Sequence, residues 1–476
     1  MWRQAKSRLT IYSHVKFGEG RTKAKIKGGV ASILGMNGRR VLNDNKTLME
    51  QICQSANLNQ AYKRVKANKG AAGVDRITIE GLRDYIAEHK EELLSSLLDG
   101  SYQPNLVRGV QIPKSDGTKR QLGIPTVLDR VIQQAILQII EPLFEPKFSD
   151  ASYGFRPKRS AHLALKQAKR YVAEGYNYVV DMDLEKFFDR VNHDILMAKL
   201  ARVISDKRLL KIMRRYLEAG LLQGGVRLER EVGVPQGGNL SPLLSNIMLD
   251  ELDKELEARG HKFCRYADDC NIYVKSRRAG NRVLASVTKF LANGLKLQVN
   301  EAKSAVALVW ERKFLGYSFR KDGELRVANP ALDKFKNKIR ELTKRNSGRS
   351  LDEIIKRLNQ YLNGWISYFR LSASISVFRD FDSWIRRRLR CYRLKQCKRA
   401  YPIAKYLIKL GVTVQNAWKL AKSSKGWWRL SLTPNINQAM PNIWFKDLGL
   451  VSLEEKVNKF KHLIETAGCD NARPVV

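Results

Sequence analysis

The chain has 476 residues, of which 87 are Lys or Arg and 47 are Asp or Glu, so its formal net charge at pH 7 is +40. An apolar fraction of 43% supports buried cores and excludes wholesale disorder. So large a positive excess opposes compaction unless a polyanion neutralises it, and nucleic acid is the polyanion that this composition indicates.

The cysteines and the apolar segments exclude other classes of protein. None of the six cysteines lies in a CxxC pair, so a structural zinc site is not expected and the thiols suit a reducing compartment. No apolar run has the length of a membrane span, and no signal peptide is evident. We therefore expect an intracellular protein with no membrane partner.

Residues 1–44 differ in composition from the rest of the chain. Glu19 is the only acidic residue before Asp44, whereas Lys, Arg and Gly recur. We interpret this segment as a flexible basic arm. A misassigned start site and an organellar transit peptide would share the composition, and nothing else in the sequence favours an organelle.

The elements predicted next alternate between helix and strand. Helix-face spacing of apolar residues predicts helices over about 45–100. Residues 108–125 predict two strands joined at Asp116-Gly117, a dipeptide that is typical of hairpin turns. Residues 130–144 again predict an amphipathic helix.

Two apolar segments that carry carboxylates follow. Residues 178–188 predict a buried strand with Asp181 and Asp183, and residues 262–274 predict a second such element around Asp268 and Asp269. Residues 306–310 and 314–319 are interpreted as a further strand pair. After residue 330 the pattern predicts basic amphipathic helices over 333–345, 351–369 and 377–399.

Carboxylates within apolar strands need a compensating cation. Asp is depleted in strands, and carboxylates that lie together raise one another's pKa. Mg²⁺ binds carboxylate and phosphate oxygens, and two such ions can stabilise the attacking and leaving oxygens of an in-line displacement. We therefore expect Asp183, Asp268 and Asp269 to bind two Mg²⁺ ions, with Mn²⁺ as a substitute. Asp181 stays ambiguous, and Asp189 is interpreted as a cap or turn residue.

Ordered sequence blocks surround these acids. They lie at residues 69–75, 119–125, 152–157, 234–242 and 314–317, with Tyr-Ala-Asp-Asp at 266–269. Together they resemble the fingers and palm of group II intron-encoded reverse transcriptases, also called maturases. Residues 361–369 resemble the thumb of that family. The resemblance implies an α+β right-hand polymerase: fingers and palm with an antiparallel sheet, then an all-α thumb or maturase domain.

The resemblance also implies roles around the nucleotide. It makes Phe188 a steric gate against the ribose 2′-hydroxyl, with simple core packing as the alternative. Lys303 matches a position proposed as the general acid to pyrophosphate, and an exposed helical lysine is the alternative. The expected dNTP-binding residues are Lys114, Arg120, Leu184, Phe188 and Gln236, and the catalytic residues are Asp183, Asp268, Asp269 and Lys303.

Further contacts are expected with the primer and with the bound nucleic acid. Phe314, Leu315, Gly316 and Tyr317 resemble the hairpin that holds the primer end in that family. One face of the last basic helix is expected to meet phosphates through Arg386, Arg387, Arg388, Arg390 and Arg393, while its aromatic residues pack in the core.

The expected domains follow these blocks. After the arm of residues 1–44 come fingers with an N-terminal extension (45–180), a palm (181–329), a helical thumb or maturase domain (330–400) and a short basic DNA-binding-like region (401–476). Only one cysteine follows Cys397, so we expect no endonuclease of the His-Asn-His type that many family members carry.

The resulting hypothesis is an RNA-directed DNA polymerase that binds its parent group II intron RNA and assists splicing and intron mobility. Its partners would be intron RNA, an RNA template with a DNA primer, target DNA and dNTPs. It would act in the bacterial cytoplasm, associated with the nucleoid when it acts on DNA. Two alternatives stay open: a splicing cofactor with a vestigial polymerase, and a host-domesticated or defence-associated reverse transcriptase.

Overall fold

The structure is a computed structural model that describes residues 47–113, 117 and 119–469, with side chains up to residue 463. The predicted basic arm of residues 1–44 lies outside the described residues. The helices of the described residues begin with α1 (Leu48–Ile52), α2 (Ser55–Ala67), α3 (Leu82–Leu98), α4 (Val127–Phe144), α5 (Ala161–Ala173), α6 (Phe187–Arg190), α7 (His193–Ala201), α8 (Lys207–Glu218), α9 (Ser241–Ala258) and α10 (Arg277–Phe290).

The C-terminal part is helical. It contains α11 (Asn329–Leu342), α12 (Leu351–Phe369), α13 (Ile375–Gln396), α14 (Ala400–Lys409), α15 (Val414–Ala421), α16 (Trp427–Leu430), α17 (Pro434–Ala439), α18 (Asn442–Asp447) and α19 (Leu453–Cys469). No helix in the part that the structure describes is long and apolar enough to cross a membrane.

The strands form three sheets. They are β1 (Val107–Pro113), β2 (Lys119–Ile124), β3 (Tyr178–Met182), β4 (Leu221–Gln223), β5 (Val226–Leu228), β6 (Lys262–Tyr266), β7 (Asp269–Val274), β8 (Ala305–Leu308), β9 (Lys313–Phe314), β10 (Tyr317–Phe319) and β11 (Leu325–Val327). Their orders are β2-β1-β4-β5, β6-β7-β3-β8 and β11-β10-β9.

The β6-β7-β3-β8 sheet is entirely antiparallel, whereas the β2-β1-β4-β5 sheet is mixed because β1 and β4 run parallel. Apolar side chains on one face of the β6-β7-β3-β8 sheet, among them Val180, Phe263 and Ile272, form one core with α4 and α9. A second core joins β10, α12 and α13. The α+β class and the helical C-terminal part are thus confirmed.

Two local predictions were wrong. The strand predicted over 178–188 ends at Met182, and the chain turns at Lys186, whose φ is 47°, before the short helix α6. Residues 306–310 and 314–319 do not pair with each other. β8 joins the sheet of β3, while β9 and β10 form a hairpin in the third sheet. Apolar alternation does not specify a partner strand, which explains the error.

Candidate active site

The sheet register brings the three predicted catalytic aspartates to one edge. β3 pairs with β7, with Met182 opposite Cys270, so Asp183 follows β3 where Asp269 begins β7. Two backbone contacts fix Asp183: its N–H donates to Ser304 Oγ at 3.0 Å, and its carbonyl accepts from the Asn300 N–H at 2.8 Å. The sheet therefore presents carboxylates from separate strands at one place.

Asp268 lies in a tight turn between β6 and β7. Tyr266 pairs with Asp269, which leaves Ala267 and Asp268 as the two loop residues. Ala267 has a φ of 58°, the left-handed conformation that two-residue hairpins require and that non-glycine residues seldom adopt. The strained turn places Asp268 next to Asp269 at the sheet edge.

The carboxylates repel one another. Burial, reinforced by Asp268, Asp183 and Asp181, raises the pKa of Asp269 to about 7. Burial and Asp183 also raise the pKa of Asp268, while Arg120 and Lys303 lower it. Water nevertheless reaches the surface of Asp269. Asp269 is therefore surrounded by protein but open to solvent on one side. A nearby cation would stabilise the charged form of a carboxylate in such a place.

The residues at this edge fit a divalent ion that retains other ligands. No group of three or more His, Cys, Asp or Glu side chains within the described ranges is gathered tightly enough to hold a metal ion by itself. Mg²⁺ usually takes one or two carboxylates and completes its shell with water and substrate phosphates. Asp183, Asp268 and Asp269 are hard oxygen donors that repel one another, so they suit such an ion.

Asp181 differs from these three aspartates because an arginine neutralises it. Arg312 Nε donates to Asp181 Oδ2 at 2.8 Å, and Arg312 Nη2 donates to the Lys303 carbonyl at 2.6 Å. Lys303 lies in a turn rather than a helix, and its Nζ is 3.4 Å from Asp183 Oδ2. Asp181 thus anchors Arg312, which in turn anchors the loop that carries Lys303.

Two of the predicted dNTP-binding residues, Arg120 of β2 and Gln236, contact each other near the same site. Arg120 Nε donates to Gln236 Oε1 at 2.6 Å, and Arg120 also lowers the pKa of Asp268. Gln236 is set by its own backbone, since its carbonyl accepts from the Gly123 N–H at 2.8 Å. Gly237 makes this approach possible, because a Cβ there would meet the Gly123 carbonyl oxygen at 2.4 Å. Lys114 lies outside the described residues.

Phe187 and Phe188 take different environments. Phe187 is buried in the core, whereas Phe188 is half-buried and meets the Phe187 ring edge-on at 5.2 Å. The Phe188 carbonyl accepts from the Val234 N–H at 2.6 Å, which ties it to the Gln236 loop. Leu184 is buried and bridges to Val299. Phe188 is therefore the ring of the pair that has a surface available for a substrate.

The predicted primer-holding hairpin connects the third sheet to the helical part. Phe314 and Tyr317 are buried, while Leu315 and Gly316 both have positive φ. Tyr368 of α12 donates its hydroxyl to the Leu315 carbonyl at 2.8 Å, and Tyr317 donates to the Tyr368 carbonyl at 2.5 Å. The hairpin tip is thus hydrogen-bonded to α12.

Most of the predicted nucleic-acid-binding arginines of α13 have partners within the chain. Arg387 donates to the Trp428 carbonyl and lies 3.7 Å from the centre of that ring. Arg388 donates to Thr343 Oγ1, Arg390 donates twice to the Met440 carbonyl, and Arg393 lies over Tyr406. The Arg386 side chain has no hydrogen bond or ion pair within the described part of the chain, and it lines a cleft of about 590 Å³ with Arg390, Asn437 and Asn442.

The sequence missed several residues that shape the site. Ser304, Arg312 and Tyr368 contact residues far away in the chain. Tyr368 lies in the block 361–369, but nothing in that block indicates its contact with Leu315. Asp181 offered the only signal: a partly buried strand carboxylate close to a second one, Asp183, needs a cation, and Arg312 is that cation.

Comparisons with known proteins identify the class. Residues 112–319 match the family model described as "Reverse transcriptase (RNA-dependent DNA polymerase)", and residues 332–408 match "Group II intron, maturase-specific domain". "Protein YkfC" of Escherichia coli (strain K12) is 34% identical over 327 residues, which cover 59% of this chain and 86% of that protein. "Group II intron-encoded protein LtrA" of Lactococcus lactis subsp. cremoris is 37% identical over 256 residues, which cover 53% of this chain and 41% of that protein.

A solved structure titled "Partial Cas6-RT-Cas1--Cas2 complex" is also similar, with a TM-score of 0.35, 26% identity and coverage of 56% of this chain and 45% of that chain. The sheet edge with its aspartates and the matching models define a reverse transcriptase, an RNA-directed DNA polymerase of a divalent-metal-dependent class. The chain belongs to the family of group II intron-encoded reverse transcriptases and maturases.

Proposed function

We propose that this enzyme extends a DNA primer on an RNA template by transferring nucleotides from dNTPs at Asp183, Asp268 and Asp269. The observation that carries the proposal is the register of β3 with β7 and of β6 with β7, which brings these three carboxylates to one edge of the sheet. Two Mg²⁺ ions, when bound, would lower the pKa of the primer 3′-hydroxyl and neutralise the triphosphate, and Mn²⁺ would substitute for them.

Around this centre the chain's own residues orient the reactants. The primer 3′-hydroxyl releases its proton to solvent, its oxygen forms a bond to the α-phosphorus, and the bond from that phosphorus to pyrophosphate breaks. Arg120 is a bidentate cation suited to the triphosphate, and Gln236 holds its guanidinium toward the site. The Lys303 ammonium would donate a proton to the departing pyrophosphate. Leu184 would pack beneath the bound nucleotide, and Lys114 would be a second contact to the triphosphate.

The primer end would be held by Phe314, Leu315, Gly316 and Tyr317. Leu315 and Gly316 form a left-handed tip, and Tyr368 secures it to the helical part. This connection supports a primer grip that moves with the thumb. A thumb that follows the primer would keep the 3′-end beside the carboxylates during successive additions.

The maturase-specific segment supports a second role, in which the protein binds its parent intron RNA and assists splicing and mobility. Arg386 and Arg390 line a cleft with amide and hydroxyl side chains, and such a lining suits phosphodiesters. Arg387, Arg388 and Arg393 would add to the positive field around it. Residues 401–476 would contact target DNA, and the enzyme would act in the bacterial cytoplasm, at the nucleoid when it acts on DNA.

The domain bounds proposed for this function are fingers with an N-terminal extension over 45–180, palm over 181–329, thumb or maturase domain over 330–400 and a DNA-binding-like region over 401–476. The start of α11 at Asn329 and the sheet of β3, β6, β7 and β8 support the palm–thumb division.

Purified full-length protein tests the proposal directly. With Mg²⁺ and dNTPs it is expected to extend a DNA primer annealed to RNA, and to promote splicing of its parent intron at a Mg²⁺ concentration at which the RNA alone is slow. Binding of that RNA should weaken steeply with salt because phosphate contacts release counterions. Splicing support without any incorporation would identify a cofactor with a vestigial polymerase instead.

The steric-gate role of Phe188 makes a separate prediction. Phe188→Ala is expected to raise ribonucleotide use relative to deoxyribonucleotide use by about tenfold or more. The shape of a pocket typically discriminates between two similar substrates by about 1–3 kcal/mol, and this change would remove that discrimination. Single-nucleotide incorporation with paired dNTP and NTP substrates measures the ratio. Phe187→Leu is the matched control, because Phe187 is buried: it should lower stability without changing the ratio. An unchanged ratio in Phe188→Ala would assign that ring to the core.

A further inference from the structure

A charged cluster that the reaction described above does not use lies directly beneath the turn of Ala267 and Asp268 between β6 and β7, which we call the catalytic turn. Arg265, the fourth residue of β6, and Asp253 of α9 are both fully buried and form an ion pair. Arg265 Nε donates to Asp253 Oδ1 at 2.7 Å, and Nη2 donates to Oδ2 at 2.5 Å. The pair is thus bidentate and closed to water.

The remaining guanidinium donors all have acceptors. Nη1 donates to Asn246 Oδ1 at 3.0 Å and to the Ala267 carbonyl at 2.9 Å, and Nη2 donates to Ser152 Oγ at 2.8 Å. Together with the two bonds to Asp253, these use all five N–H groups of the arginine. Lysine, with three donors around one nitrogen, cannot reproduce this planar arrangement.

One of these five contacts reaches the catalytic turn. Ala267 is the left-handed residue of that turn and is followed by Asp268. The backbone of Arg265 is also held, since its N–H donates to the Ala151 carbonyl and its carbonyl accepts from the Tyr153 N–H. The guanidinium therefore connects the turn to α9 and to the 151–154 segment at once.

A buried ion pair is a poor device for stability alone. Desolvation of both charges offsets much of their attraction, and apolar residues of similar volume often stabilise a fold as well or better. The pair can instead hold the turn in its conformation, because a strained turn persists only when several surrounding contacts fix it. Catalytic groups also need support from side chains that are themselves locked.

We propose that Arg265 is a positioning residue of the polymerase, which fixes the left-handed Ala267 carbonyl and thereby directs Asp268 and Asp269 into the active site. Asp253, Asn246 and Ser152 hold the guanidinium in that orientation. The proposal rests on the polymerase function and adds to it a set of residues remote from both nucleotide and primer.

The test compares two arginine-to-lysine variants by single-turnover incorporation and by thermal unfolding. Arg265→Lys is expected to lower the maximal incorporation rate by about 10²-fold, the cost of an ångström-scale misplacement, with dNTP and template–primer affinities within about twofold of wild type. Arg208→Lys is the control. Arg208 also pairs with acids, Glu50 and Asp206, but it lies on α8, away from the catalytic turn. This control should lose stability and keep its rate.

The outcomes separate positioning from folding. A rate for Arg265→Lys that matches wild type once the assay temperature is well below its melting temperature would overturn the proposal, as would equal rate losses in the two lysine variants. If Arg265→Lys does not fold, Ser152→Ala decides: removal of one acceptor should slow incorporation by about threefold or more at unchanged dNTP affinity, and an unchanged rate would overturn the proposal. Absence of incorporation by the wild type would instead refute the polymerase function.

Discussion

Replacement of either Asp268 or Asp269 by Asn is expected to lower primer extension by on the order of 10³-fold or more, because loss of a metal-binding carboxylate removes several kcal/mol of transition-state stabilisation. Asn keeps the size of the side chain, so the turn and β7 should fold as before. The measurement is single-nucleotide incorporation on an RNA template with a DNA primer, over a range of Mg²⁺ concentrations.

The same variants should keep their splicing support, because binding of intron RNA depends on basic surface rather than on these carboxylates. Asp322→Asn is the matched control: Asp322 lies in the exposed turn between β10 and β11, where it pairs with Arg320, and its loss should leave extension unchanged. Extension at the wild-type rate by Asp268→Asn and Asp269→Asn would remove these residues from catalysis. Parallel loss of extension and splicing would indicate misfolding.

The sequence predicted the elements whose signals are local. α12 begins and ends at the predicted residues, 351 and 369, because its apolar stripe runs unbroken from Leu351 to Phe369 and Ser350 caps its first turn. The hairpin of β1 and β2 was predicted from a turn dipeptide flanked by alternating residues. In both cases the information lies within some twenty consecutive residues.

What the sequence did not predict depends on contacts between distant segments. Arg312 meets Asp181 across 131 positions of the chain, and Tyr368 meets Leu315 across 53. Many other residues of the same types lie at similar separations in the chain, so the sequence does not single out either pair. The pairing of β8 with β3 was missed for the same reason, since alternation reports the buried face of a strand and not its neighbour.

For the basic helix α13, the composition and the structure describe different properties of the arginines. Its excess of arginine indicated a polyanion partner, and that role stays a prediction. The structure adds that Arg387 and Arg390 meet backbone carbonyls of Trp428 and Met440, in the segment that follows α15. A guanidinium has enough donors to make such internal contacts and still bind a phosphate, and of these two arginines Arg390 lines the cleft. Charge reversal here would disturb folding and binding together, which is why the carboxylates and the catalytic turn give cleaner tests.

The close approach of residue 154 to the catalytic turn predicts the second large effect. A Cβ at Gly154 would lie 2.3 Å from the Ala267 nitrogen and 2.9 Å from the Tyr266 carbonyl carbon. Both are backbone atoms of the turn, so no side chain can move aside to relieve the clash. The Gly154 carbonyl is also fixed, because it accepts from Asn246 Nδ2 at 2.9 Å. The added methyl group must therefore displace the turn itself.

Gly154→Ala is accordingly expected to destabilise the protein by about 1–3 kcal/mol, the usual cost of overpacking, and to slow nucleotide incorporation by about 10²-fold in the molecules that remain folded. Gly364→Ala is the stability control: Gly364 is exposed within α12, a Cβ there would meet nothing within 4 Å, and alanine should stabilise the helix by about 1 kcal/mol. Denaturant unfolding and single-turnover incorporation measure the two effects separately. Wild-type stability and rate in Gly154→Ala would mean that the turn yields without cost, and the carboxylates would then not depend on the packing beneath them.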